Sequence, residues 1–159
     1  MKMGALDEAR MGRVKLKEQD EYEFTHRLTV QVGHINYGGH VGYDAILAMT
    51  WEARVNAFHV IGISELDLGD GRTGMLMRDL VVNFREELFM FDDVVVESHI
   101  GEITNHGFRM FYRLTKAGRL VALVETGFAA FDVKGRSLAP VPDAFRGALD
   151  RHRINPGKS

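Results

Sequence analysis

Cysteine is absent from the 159 residues. Its absence removes disulfides, thiolate nucleophiles and the cysteine-bearing zinc and iron–sulfur sites together, and it fits a reducing compartment. Neither sign of charge dominates: 20 Lys and Arg stand against 22 Asp and Glu, a formal charge of −2. No global field therefore favours a nucleic-acid backbone or an anionic bilayer, so neither nucleic acid nor membrane is expected as a partner. A local basic patch could still hold a small anion. No uncharged apolar run approaches the ~18 residues that span a membrane, and the first twenty residues contain no apolar core of signal-peptide length. A cytoplasmic location is expected.

What is present is ordinary for a globule, with 45% hydrophobic and 26% charged residues. The length suits one domain that buries roughly two-thirds of its unfolded surface. Residues 1–20 are charged, with scattered apolar side chains, and read as a tail or a short surface helix. Residues 21–152 are expected to form the domain and 153–159 a second tail. From Tyr22 to Val32 apolar positions alternate with polar ones (Tyr22, Phe24, His26, Leu28 and Val30 on one side), the period of a half-buried strand. Val41 to Ile61 runs without proline and ends at Gly62, which predicts the one long helix.

The apolar residues of that helix, including Ile46, Leu47, Met49, Trp51, Val55, Phe58 and Ile61, fall on nearly every side, so the helix is expected to be wrapped, with Trp51 and Phe58 in the core. Four strand-like runs follow, Met75–Arg85, Val94–Ile103, Gly107–Lys116 and Leu120–Val133, two of their connections being short Gly-containing turns. Pro140 and Pro142 introduce a terminal helix from Asp143. This α+β order predicts a hotdog fold, a curled antiparallel sheet wrapped around one long central helix. A single sheet leaves an edge strand and part of the helix uncovered, so a homodimer or homotetramer is expected.

The segment Gly33-His34-Ile35-Asn36-Tyr37-Gly38-Gly39-His40-Val41-Gly42-Tyr43-Asp44 concentrates polar groups in a turn that enters the helix. A helix begins with unpaired N–H groups and a positive dipole end, and side-chain-free Gly38 and Gly39 let a ligand carbonyl approach the backbone. A thioester carbonyl becoming an oxyanion suits such a place. Asp44, in the first helical turn, and His40, four residues before it, are read as the pair that activates water. The same Asp would equally serve as a plain helix-start residue, favoured by the dipole alone. His34 reads as a loop hydrogen-bonder, and Glu52 lies two turns further on, about 12 Å along the axis from Asp44 at 1.5 Å per residue.

The run from Asn36 to Tyr43, followed by Trp51-Glu52-Ala53-Arg54, resembles the 4-hydroxybenzoyl-CoA thioesterase family of the hotdog superfamily. The resemblance implies hydrolysis of an acyl-CoA thioester. It implies that Asn36 occupies the place of the family's catalytic Asp, that Gly39 offers an N–H donor and that Tyr43 lines the substrate pocket. Tyr37, Gly38 and Glu52 are read with Tyr43 as substrate-binding. An amide cannot act as a base, so the exchange of Asp for Asn36 moves the carboxylate role, with Asp44 nearer the donors than Glu52.

Two other readings stand beside hydrolysis: a noncatalytic acyl-CoA-binding protein, and a hotdog enoyl-CoA hydratase, whose Gly-Asp-x-Asn-Pro-x-His loop this segment matches only in part. His26, His34, His40 and His59 lack the paired spacing of zinc sites, so neither metal nor other cofactor is expected. For the phosphates of CoA, Arg78, Arg85, Arg109 and Arg113 are available on strands, where all four would equally serve as solvated strand-face charges.

Overall fold

The computed structural model describes residues 12–156. Strand β1 (Phe24–Thr29) leads through a short turn into helix α1 (Tyr43–Val60); β2 (Thr73–Phe84), β3 (Asp93–Gly101), β4 (Gly107–Lys116), β5 (Arg119–Asp132) and the two-residue β6 (Ser137–Leu138) follow, then helix α2 (Asp143–Ile154). The six strands form one antiparallel sheet in the order β1-β3-β4-β5-β2, with β6 added to the end of β5. The chain is thus α+β, with one long helix and one sheet.

Alternation along the strands decides which face receives the helix. Phe108, Met110, Tyr112 and Leu114 of β4 and Val94, Val96 and Ile100 of β3 are buried on the inner face. Against them α1 lays Ala45, Ile46, Met49, Ala53, Ala57 and Phe58. Burying each large aliphatic or aromatic side chain of this set contributes about 1.5–3 kcal/mol. Phe145 of α2 closes one end of the core, its ring 4.8 Å from that of Phe108 and edge-on to Phe58. The outer face carries ion pairs instead: Arg109 with Asp79 and Glu125, and Arg113 with Glu97 and Glu18.

Three expectations change. The helix is covered on one face only: Tyr43, Trp51 and Val55 lie exposed at intervals of four and eight residues, with Leu47 half-buried between them. Trp51 is 56% exposed rather than part of the core, and its indole N–H donates to Glu65. Within the first twenty residues, 1–11 lie outside the described residues, and 12–20 form no helix. They run as an extended strap over the outer face, where the Asn83 amide donates to Val14 O and accepts from Leu16 N–H, and Glu18 pairs with Arg113. At the other end α2 continues to Ile154, past the expected end of the domain, while 157–159 lie outside the described residues.

Candidate active site

The turn before α1 is closed by its own backbone. Ile35 bridges Val41, Asn36 N–H donates to His40 O at 2.9 Å, and Gly39 N–H donates to Asn36 O at 3.1 Å. Gly39 has φ +82°, a left-handed conformation that side chains rarely adopt, which accounts for glycine there. Its N–H is consumed inside the turn. The expectation that Gly39 donates to an oxyanion is therefore corrected: a turn this tight satisfies its own donors first.

Two other glycines make room for side chains. Asn36 Oδ1 accepts from Gly38 N–H at 2.9 Å, which fixes the amide and leaves its Nδ2 as the free donor. A Cβ on Gly38 would lie 3.2 Å from His40 Nε2 and 3.3 Å from Asn36 Oδ1. On the other side, a Cβ on Gly42 would collide with Asp44 Oδ1 and stand 3.5 Å from Asn36 Nδ2. Space vacated by Gly38 and Gly42 is what gathers Asn36, His40 and Asp44 around one turn.

His40 and Asp44, read together as the pair that activates water, make no hydrogen bond to each other. Helix α1 starts at Tyr43 with Gly42 as its N-cap, so helical spacing does not reach back to His40. His40 Nδ1 instead lies 3.1 Å from Val41 O. A carbonyl only accepts, so in the neutral ring Nδ1 carries the proton and Nε2 presents its lone pair. Glu87 Oε1 is 3.8 Å from Nε2. Gly42 N–H donates to His34 O, and Gly42 has no side chain to cap with, so the N–H groups of Tyr43, Asp44 and Ala45 begin the helix without intrahelical acceptors.

The remaining candidates lie apart from this cluster. Tyr37 is fully exposed, and Tyr43 largely so. Glu52 is two turns along the helix, its Oε1 2.8 Å from Nε2 of His26 on β1. His34 accepts from Gln31 N–H, as a loop hydrogen-bonder does. Arg109 and Arg113 are committed to carboxylates, whereas Arg78 and Arg85 are exposed. Among the described residues no three metal-donor side chains converge. Sequence reasoning missed Glu87 and Leu88; the latter is buried and accepts from Val41 N–H at 2.8 Å. Nothing local in either residue signals a partner nearly fifty positions away.

A recess at the start of α2 is lined by Asp70, Arg72, Asp132, Ser137 and Arg146, none of them from the turn. Two of its carboxylates are committed: Asp132 pairs with Arg72, and Asp70 holds the N–H groups of Arg72 and Thr73. Asp143, in the first turn of α2, lines it as well.

Residues 30–149 match the family model of the thioesterase-like superfamily. No curated protein matches the chain by sequence. Among solved structures, the chain is similar to the 1,4-dihydroxy-2-naphthoyl-CoA thioesterase of Synechocystis, with TM-score 0.72 and 21% identity over 80% of this chain and 95% of the other. It is similar to the DHNA-CoA thioesterase of Staphylococcus aureus, with TM-score 0.72 and 15% identity over 86% and 95%. It is also similar to a gentisyl-coenzyme A thioesterase, with TM-score 0.69 and 21% identity over 79% and 98%. At these identities the structural likeness establishes the fold.

Proposed function

Because the chain belongs to the thioesterase-like superfamily, we propose that it is an acyl-CoA thioesterase, hydrolysing a CoA thioester to free acid and CoA, with its site at the Asn36–Asp44 turn. The observation that carries the assignment of the site is the gathering of Asn36, His40 and Asp44 over Gly38 and Gly42, at the open start of α1. The activities of the similar proteins, on 1,4-dihydroxy-2-naphthoyl-CoA and gentisyl-CoA, support a CoA thioester as substrate. In the step we assign, Asn36 Nδ2 holds a water whose proton passes to Asp44 as its oxygen adds to the thioester carbon. The carbonyl oxygen becomes an oxyanion facing the first-turn N–H groups of α1, which take the donor role first given to Gly39. Collapse breaks the C–S bond, and the CoA thiolate takes the proton from Asp44. His40, its Nε2 lone pair turned into the turn beside Asn36, hydrogen-bonds the same water.

A second reading of the base rests on the 2.8 Å bond between Glu52 and His26, which holds a carboxylate on the exposed face of α1. Parallel kcat measurements on Asp44→Asn and Glu52→Gln separate the two: at least a hundredfold loss belongs to the base, since general-base catalysis contributes roughly 10²–10⁴-fold.

The finer architecture belongs to the same reading. Residues 21–152 are taken as one hotdog domain whose sheet curls around α1, and the reaction is placed in the cytoplasm, which suits a cysteine-free chain. A homodimer or dimer of dimers is supported by the edge strand β2, which exposes Leu76, Met77, Leu80 and Phe84, and by the uncovered stripe Tyr43, Trp51 and Val55 on α1. Tyr37, Gly38, Tyr43 and Glu52 would then meet substrate where two copies adjoin.

A further inference from the structure

The loop between β2 and β3 carries the sequence Glu86-Glu87-Leu88-Phe89-Met90-Phe91-Asp92. It is fastened at several points. Leu88 is buried in the core, Asp92 accepts from Phe89 N–H and pairs with Lys116 at 2.7 Å, and the Lys116 ammonium lies 5.8 Å from the centre of the Phe89 ring. The loop is also tied to the turn before α1: Val41 N–H donates to Leu88 O at 2.8 Å, Phe91 N–H to Val30 O at 3.0 Å, and Val30 N–H to Asp92 O at 2.8 Å.

Between these fixed points the loop does two costly things. Phe91 adopts φ +70°, a left-handed conformation unfavourable for a bulky side chain, and it holds its ring 81% exposed. Phe89 and Met90 are exposed beside it, and Val32 and Tyr37 are exposed on the adjoining turn. A strained backbone that displays an apolar side chain to water persists where the surrounding structure enforces it, and such places concentrate at ligand sites. The enforcement here comes from the same hydrogen bonds that seat the loop on the turn holding Asn36, His40 and Asp44.

We propose that Phe89, Met90 and Phe91 form the wall that receives the acyl group, and that Phe91 determines a preference for bulky apolar acyl groups, aromatic or long-chain, over short ones. The proposal rests on the thioesterase reading of the turn. The occupant is the acyl part of the thioester because the wall is fixed to the reacting turn by its backbone, at Val41 and beside His40, where Glu87 stands 3.8 Å from Nε2. An acyl group bonded to the carbon under attack has to leave the turn along an adjoining surface, and this one is apolar.

Phe91→Gly tests this, because glycine takes φ +70° without strain while removing the ring. The full-length protein and the variant are compared by thiol release from acetyl-, hexanoyl-, lauroyl- and benzoyl-CoA, by calorimetric binding of the same esters, and by thermal unfolding. The expected result is a midpoint of unfolding equal to wild type or higher, together with a fall of at least tenfold in the ratio of kcat/KM for lauroyl- or benzoyl-CoA to that for acetyl-CoA. An unchanged ratio overturns the proposal, as does a lowered molecular mass in solution with the ratio intact, which would give the wall to a second copy. If the wild type turns over no ester, yet binds the bulky ones more tightly and loses that preference in Phe91→Gly, the hydrolase reading fails and the wall is upheld; no preference in either protein overturns the wall as well.

Discussion

Replacing Gly42 with alanine adds one methyl group where the structure has put the Asp44 carboxylate. The backbone of Gly42, at φ −75° and ψ 162°, is extended and open to any residue, so alanine brings no conformational strain. Its Cβ would run into Asp44 Oδ1 and reach 3.4 Å from Asn36 Cβ. The carboxylate, at the end of a short side chain, gives way; the backbone stays. At an N-cap the exchange of glycine for alanine costs under about 1 kcal/mol, which for a chain of this size lowers the melting midpoint by roughly 2–4 °C at most. Activity should suffer far more. If Asp44 is the base, moving its oxygens away from the water held by Asn36 removes a contribution of roughly 10²–10⁴-fold, so kcat for thiol release should fall about a hundredfold in a protein that remains folded. Circular dichroism, thermal unfolding and thiol release on the same preparation check both halves. A Gly42→Ala protein with normal melting and kcat within threefold of wild type would refute the geometry argued for Asp44.

Other outcomes follow from the surrounding structure. The Arg54 side chain is 7% exposed and bonded to Glu65 at 2.6 Å, whereas Glu65 is 29% exposed. Glu65→Ala should therefore cost about 3 kcal/mol by leaving a buried guanidinium without its carboxylate, and Arg54→Met should cost less, in chemical denaturation. Burial pushes the Glu23 carboxyl up, but hydrogen bonds from His99, Arg153 and Ile100 N–H outweigh it and hold the group below the ordinary carboxylate range. Its stabilisation is thus present above the unfolded-state value and lost as pH falls through the folded one, and Glu23→Gln should flatten the loss of stability on acidification. Lysines placed at Met77 and Leu80 on the exposed edge of β2 should shift sedimentation towards a 17.9 kDa monomer; an unchanged assembly would move the contact to the helix stripe.

Most of the architecture was legible in the alternation of side chains. Strand β4 runs from Gly107 to Lys116, the bounds its pattern and flanking turns predict, and Gly62, at φ +76°, follows the end of α1. Helix α1 begins two residues later than expected because Gly42, not His40, takes the N-cap, and that shift separates His40 from Asp44. Apolar spacing could not reveal that Trp51 faces outward, since a large apolar side chain reads the same in a sequence whether it is buried or exposed. The fate of the Gly39 N–H depends on how the turn closes, and the seat of the Phe89–Phe91 loop on Val30 and Val41 is set by backbone bonds between distant segments. Neither leaves a mark in composition or period. The two-residue strand β6 is too short to show any period at all.

Hydrolysis with Asp44 as the base is decided by thiol release from a panel of short, long and aromatic acyl-CoAs, followed for the wild type and for Asp44→Asn. The wild type should form one equivalent of free CoA for each acid, and Asp44→Asn should lose at least a hundredfold in kcat with binding retained. Saturable binding of acyl-CoA without thiol release, or hydration of crotonyl-CoA with the thioester left intact, would contradict it.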